Sequence, residues 1–569
     1  MRKGNAIQIL IFLGILIALN ILANARLGET ALYRRVDLTE EKRFTLTKGT
    51  RDLLRNLDEV VYVQVLLEGT MPASFKRLQN GTREILEDFR AQSSYVEFSF
   101  EDITAGDPEE VNQRTQELAE VGVVPRQINT REGTEARQQL LYPFALVNYK
   151  GRSLAVNLLE NDNPTLDDEI DLNNSVALLE YKLINAIDKL QQSFKKNIVF
   201  STGHGELEPI ETADLEQSLR QYYNTGRISL DSVVYLRHDI DALIVAKPRA
   251  PFSEKDKFKI DQYVMNGGKV IWLLDPLRVD LDSLSGRKEY VPIPYELELD
   301  DLLFRYGIRL EPNLVLDLQN TRIPLATGMT GQGPQLELFP YPYHVVATSN
   351  SNHPIMKGLG PVNLFYPSTV DTAVRTKLPL ERTILLQSTE NTRLQYAPVR
   401  MNFEFLRYGL DPEKFAAGVQ PFALLLEGTF TSLYENRVTD RMREGLVELG
   451  QEYKTQSPSS AMIVVADGDI ARNEFNRQDQ QVRPLGYNPF EKYVFANKDF
   501  LLNAIEYTLD DNGIIEARGK EVKLRLLNKA KAQNEETKWQ LINLGLPLLF
   551  LGLFGLVYSW WRRRTYARP

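Results

Sequence analysis

The 569-residue sequence contains no cysteine. Disulfides, thiolate metal sites, cysteine nucleophiles and C-x-x-C redox chemistry are therefore excluded. It has no G-x-x-x-x-G-K-[ST] phosphate loop, so the chain is not itself a P-loop ATPase. Neither H-E-x-x-H nor G-x-S-x-G occurs. Histidine is scarce, with only His204, His238, His344 and His353. Positive charge is short as well. The net charge is −9, and six basic residues lie at the two ends (Arg2, Lys3, Arg562, Arg563, Arg564, Arg568), which leaves −15 on the rest. An acidic body of that size argues against nucleic-acid binding and against broad adhesion to anionic lipid. No cofactor-binding motif is present, and no cofactor is expected.

Two long apolar runs stand out at the ends. The first covers about residues 6–23, interrupted by Gln8 and Asn20, and the second about residues 541–561, without a charge. Both approach the ~20 residues that cross a bilayer. Trp539, Trp560 and Trp561, three of the four tryptophans, flank the second run as an aromatic belt would. Arg2 and Lys3 before the first run and the arginine triplet after the second predict cytoplasmic termini and a body outside the cytoplasm. The expectation is a two-pass protein of the cell inner membrane with a large periplasmic body. Ala23-Asn24-Ala25 has the A-x-A form of a signal-peptide cleavage site, so a cleaved first segment stays open.

Between the runs, apolar periodicity predicts two α/β domains. The expected boundaries are 1–27 for the first span and 28–193 for a thioredoxin-like sandwich built in the order βαβα, then ββα. Residues 194–515 form a second α/β domain with a mainly parallel sheet, 516–538 a juxtamembrane stalk helix, and 539–569 the second span with its basic tail. Thr47 is expected to cap a helix over 47–57, and Ser253 to open one that ends at Gly267-Gly268. Residues 326–344, rich in Gly, Pro and Tyr, read as a long surface excursion.

The candidate site is Gly203-His204-Gly205-Glu206, between the predicted strand at 198–200 and a helix. Ligands of open α/β sheets bind at the carboxyl ends of strands, where glycines permit close backbone approach. His204 is a candidate base or ligand, oriented by Glu206. Asp275 follows the predicted strand at 269–274, and Asp467 and Asp469 follow the one at 462–465. If these strands are parallel, all three loops share one rim, and His204, Glu206, Asp275, Asp467 and Asp469 are placed to hold a cation or polar ligand. Ordinary turn chemistry accounts for the aspartates equally well.

Arg35-Val36-Asp37-Leu38-Thr39, Lys42-Arg43-Phe44-Thr45-Leu46-Thr47, the Gly203–Glu206 loop, and Asn352-His353-Pro354-Ile355 with Gly358-Leu359 resemble the GldG family over essentially the whole chain. The resemblance implies an auxiliary subunit of an ABC transporter linked to gliding motility and, in some members, type IX secretion. It implies a GldF-like permease and a separate GldA-like ATPase as partners, which suits the missing phosphate loop. The second domain also looks like a class I glutamine-amidotransferase fold, whose enzymes need a nucleophilic cysteine that this chain lacks. The expectation is a non-catalytic subunit binding a ligand or envelope partner, with a homodimer left open. The alternatives are a metal-dependent hydrolase using His204 and Glu206, or a structural envelope scaffold.

Overall fold

In a computed structural model of the chain, the described residues are 45–132, 135–160, 168–192, 194–284, 287–330, 333–348, 353–448, 450, 452–476, 480–519 and 535–566, with residues 12, 14–15, 26–27 and 30–31 near the start. They divide into two units, Met1–Glu521 and Val522–Pro569. The expected first span falls almost wholly outside the described residues, as does most of the expected stalk.

The first unit opens with α1 (Lys48–Arg55), which Thr47 caps by accepting from the Thr50 N–H. The next elements are β1 (Val61–Val65), α2 (Ala73–Gln92), β2 (Val96–Phe100) and α3 (Pro108–Glu120). They continue with β3 (Phe144–Tyr149), β4 (Arg152–Asn157) and α4 (Asp168–Gln191). The sheet order is β2-β1-β3-β4, with β1 and β2 parallel and the other pairs antiparallel. Val61, Val63 and Val65 of β1 are fully buried while Tyr62 is exposed, the alternation of a strand with one covered face. Between α3 and β3 lies a hairpin, Arg126–Glu132 paired with Glu135–Leu141. Its strands are mostly polar, so apolar periodicity gave no sign of them.

The second half of this unit is built on seven strands. These are β5 (Asn197–Thr202), β6 (Asn224–Ser229), β7 (Ala242–Ala246), β8 (Lys269–Leu273), β9 (Leu380–Gln387), β10 (Pro421–Thr431) and β11 (Gln456–Val465), in the order β6-β5-β7-β8-β11-β10-β9. The five from β6 to β11 are parallel, and β10 and β9 close one side antiparallel. Helices α5 (Ala213–Arg220), α6 (Glu254–Met265) and α7 (Asn497–Leu509) accompany the sheet. Ser253 caps α6 as expected, its Oγ accepting from the Asp256 N–H at 3.2 Å. All five residues of β7 are buried, as both faces of a central parallel strand are covered.

The segments between β8 and β9 and between β9 and β10 together form an insertion with its own core of Leu314, Leu316, Ile323, Tyr341, Tyr343 and Phe415, among others. The expected surface excursion is here a hairpin, Asn320–Thr330 against Gly333–Ala347, which also pairs with Val362–Phe365. Tyr341, Tyr343 and Val345 are buried. Residues 341–345 are buried without a break, and that burial outweighs the loop signal of the prolines around them.

The segment after α7 does not leave directly as a stalk. Ile514, Ile515 and Ala517 pack into the core of the first sheet, and Arg518 is 4% exposed. The Arg518 guanidinium lies 3.1 Å from the Glu160 carboxylate, which also meets Lys182 at 3.5 Å. Tyr181 of α4 donates to Glu506 of α7, and Lys189 lies 3.4 Å from the same carboxylate. Buried ion pairs thus tie the two sheets together just before residue 521.

The second unit contains α8 (Glu536–Tyr566), with Pro547 inside it. The most apolar 18-residue window within Glu536–Thr565 has a mean hydropathy of 2.1 and is wholly unburied. It is long and apolar enough to cross a membrane, and exposure separates it from a core helix.

Breaking a buried pair leaves its partner's charge uncompensated. Arg518→Ala is expected to cost about 3–5 kcal/mol, read as a lower urea midpoint. An unchanged midpoint would show that Glu160 is not held by this pair.

Candidate functional site

Register decides which residues meet at the strand ends. Ala246, Leu273 and Val465 are direct neighbours across β7, β8 and β11. The next residues in each strand therefore converge: Lys247 from β7, Asp275 from β8, and Asp467 to Asp469 from β11. Lys247 carries a φ of +53°, a left-handed conformation uncommon for a side-chain-bearing residue. Its backbone N–H bonds Leu273 O at 2.8 Å. Its ammonium, 3% exposed as a residue, sits 3.0 Å from Asp275 and in direct hydrogen bond with Asp469.

The backbone completes the arrangement. Gly468 donates its N–H to Asp275 Oδ1 at 2.5 Å, and a Cβ on Gly468 would come within 2.7 Å of the Lys247 Cβ. Glycine is required there by close approach. Asp467 accepts from the backbone of Asp469 at 2.8 Å and of Phe365 at 2.7 Å. Phe365 belongs to the insertion, and Ser368 adds a bond to Ala466 O at 3.0 Å. The insertion therefore closes over the rim.

The charges follow from this burial. Burial and the neighbouring Asp275 and Asp469 push the Asp467 carboxyl well above the usual carboxylate range. Burial also opposes charge on Asp469, but Lys247 and then Arg472 hold it below that range. Burial raises Asp275 despite Lys247. The Lys247 ammonium thus faces the Asp275 and Asp469 carboxyls, and the Arg472 guanidinium lies 3.5 Å from Asp469. His344, in the insertion and surrounded by Tyr341, Phe365 and Tyr366, is pushed down to about 3 by burial and is neutral.

Gly203-His204-Gly205-Glu206 forms a neighbouring, separate cluster. Gly203 and Gly205 have φ of +110° and +74°, which turn the chain sharply after β5. His204 is 3% exposed and stacks on Phe252, with ring centroids 3.8 Å apart. Glu206 accepts from the His204 N–H at 2.7 Å and from Ser201 Oγ at 2.9 Å. The imidazole lies between Glu206 at 3.6 Å and Asp256 at 3.5 Å. Burial opposes its charge, but the nearby Glu206 and Asp256 carboxylates raise its affinity for a proton above the ordinary value.

The expected rim therefore exists, with Gly203, His204, Gly205, Glu206, Asp275, Asp467 and Asp469 all along it. It is not one shell around a cation. His204 and Glu206 pair with Ser201, Phe252 and Asp256, while Asp275 and Asp469 pair with Lys247 and Asp467 is held by the backbone of Asp469 and Phe365. The ammonium stands where a bound cation would. Among the described residues no group of three or more His, Asp or Glu is placed to hold a metal. The residues expected to share one ligand are thus divided between two clusters. Lys247 and Asp256 are the residues that sequence reading passed over. Lys247 had the same signal as Asp275, a charged residue directly after an apolar strand.

Residues 195–504 match the family described as an ABC-type uncharacterized transport system. The chain belongs to this family. The match covers the seven-stranded sheet with its insertion and rim, and residues 40–148 match a domain of unknown function (DUF7088). An uncharacterized protein of Borreliella burgdorferi is 21% identical over 369 residues, and the chain spans 64% of that curated relative's length. That stretch is 64% of this chain. Among solved structures, the mmIFT52 N-terminal domain is 12% identical at a TM-score of 0.29, over 55% of this chain and 98% of that one. Exo-beta-1,4-mannosidase Op5Man5 from Opitutaceae bacterium strain TAV5 is 12% identical at 0.21, over 52% and 35%. At these scores neither likeness bears on the fold. Family membership makes the chain an auxiliary, transporter-associated component, and with α8 it points to membrane association.

Lys247→Met is expected to cost about 3–5 kcal/mol in urea unfolding, because Asp275 and Asp469 lose their buried counter-charge. A cost under about 1 kcal/mol, the range of an exposed pair, would contradict the cluster. His204 binds its proton more tightly folded than unfolded. Its contribution is complete below about pH 6.5 and is lost as pH rises through the raised folded value. The stability gap between wild type and His204→Gln should therefore be wider at about pH 6 than at about pH 8. An equal gap at both would show that the imidazole does not titrate between its carboxylates.

Proposed function

We propose that the chain is a non-catalytic, extracytoplasmic auxiliary subunit of an ABC complex linked to gliding motility and type IX secretion. In this reading it sits in the inner membrane with both termini cytoplasmic. It works with a GldF-like permease and a GldA-like ATPase, and its body carries a ligand or envelope partner. The two halves of the body correspond to a thioredoxin-like sandwich and an amidotransferase-like sheet, a reading supported by their strand orders.

The observation that carries this reading is the filled rim. The place where open α/β sheets hold substrates is here occupied by the protein's own Lys247, three aspartates and a stacked His204, under the insertion. A body of this kind suits holding and coupling rather than chemistry. The missing phosphate loop supports a separate subunit for ATP hydrolysis. The buried ion pairs around Glu160, Glu506 and Arg518, next to the segment leading toward α8, support a body that responds as one piece to the membrane side. The same filled rim also suits a purely structural envelope scaffold.

Purification of the full chain from native membranes in mild detergent tests the reading. It is expected to bring down a polytopic permease and a P-loop ATPase in fixed ratio. Recovery of intact chain without either would overturn it.

A further inference from the structure

A cavity of about 240 Å³ opens in the insertion, away from the rim. Its walls come from the strands Asn313–Asp317, Gly333–Ala347 and Thr392–Tyr396 and from the loop that follows them. The lining is mixed, with aromatic and aliphatic side chains beside the polar Gln395 and Asn402. Leu316, Tyr343 and Phe415 are buried members of the insertion's core. The Tyr343 hydroxyl is committed to Gln395 at 2.7 Å, and the Tyr343 ring meets Phe405 edge-on at 6.2 Å.

The mouth is cationic. Arg393, Arg400 and Lys414 line it, with Asp411 as the one carboxylate. All three cations are exposed, and Arg393 has no hydrogen bond or ion pair among the described residues. Arg400 has Glu289 at 3.8 Å and Lys414 has Asp411 at 3.3 Å, both in exposed pairs that hold weakly. Three cations thus converge on a ring-lined cavity in a body whose remaining charge is −15. Such a focus raises the local concentration of anions. The guanidinium fork matches a carboxylate or phosphate. The volume is below the roughly 300–1,000 Å³ of drug-sized sites, which limits the occupant's size.

We propose that this cavity binds a small organic anion, a phosphate or carboxylate carried on a flat ring. The ring lies against Tyr343, Phe405 and Phe415, and the anionic group sits between Arg393 and Arg400. The assignment deepens the ligand-carrying reading above. It is tested on the isolated chain, so its failure is distinguishable from failure of the permease association.

The test is titration calorimetry on the full chain in detergent with phenyl phosphate, benzoate, inorganic phosphate and benzyl alcohol. Phenyl phosphate, benzoate or both are expected to bind at least tenfold tighter than inorganic phosphate, with no binding of benzyl alcohol. Which ring anion binds identifies the acid group. Arg393→Gln and Arg400→Gln are each expected to weaken binding about tenfold or more. Both side chains are exposed, so the urea midpoint should not move. Phe405→Ala should weaken the ring-bearing anion while leaving inorganic phosphate unaffected. No binding of either ring anion at millimolar concentration, or equal binding by wild type and the Arg393→Gln/Arg400→Gln double variant, would overturn the assignment.

Discussion

The Lys247 ammonium between Asp275 and Asp469 is the constraint on which the arrangement of this protein rests. Three adjacent parallel strands end there, and a residue from each contributes to one buried ion cluster. Taking these charges from water is costly, and only mutual pairing plus the backbone bonds from Gly468, Asp469 and Phe365 offsets the cost. The left-handed backbone at Lys247 and the close approach at Gly468 are local costs that persist because the cluster needs both. A cluster of this kind contributes specificity more than net stability. It fixes how the insertion sits on the sheet.

The functional consequence is a transfer of roles. In an open sheet the strand-end crevice receives the ligand. Here the insertion is anchored on that crevice through Asp467, and the cavity with cationic and aromatic lining is in the insertion itself. The sheet becomes a platform. The ion pairs of Glu160 and Glu506 join it to the first sheet. A ligand seated in the insertion would act on the rest of the protein through the Asp467 and Ser368 contacts.

Much of this was legible in the sequence where apolar spacing is strong. Val61, Val63 and Val65 marked their strand. Ser253 and Thr47 marked helix starts, and the runs at 242–246 and 462–465 marked central strands. The shared rim followed from counting those strands as parallel. The hairpin over 126–141 and the edge strand Asn224–Ser229 were not legible, because neither has a run of apolar residues facing a core. The Tyr341–Val345 segment of its strand was hidden by the prolines within and beside it, although all five residues are buried. The partition of the rim into two clusters was not legible either. It depends on Lys247, whose partners lie far away in sequence, and on Phe252, which covers His204 from the loop before α6. The cationic cavity joins Arg393 and Arg400 to Tyr343 across distant strands, and no local motif marks it.

Amide hydrogen exchange on the full chain tests the sealed rim most directly. The account predicts that residues 203–206, 363–368 and 465–471 are protected together and exchange only with unfolding of the sheet. In Lys247→Met all three segments should lose protection in common. Rapid exchange of 465–471 in the native wild-type protein, with the sheet strands still protected, would show an open rim and contradict the account.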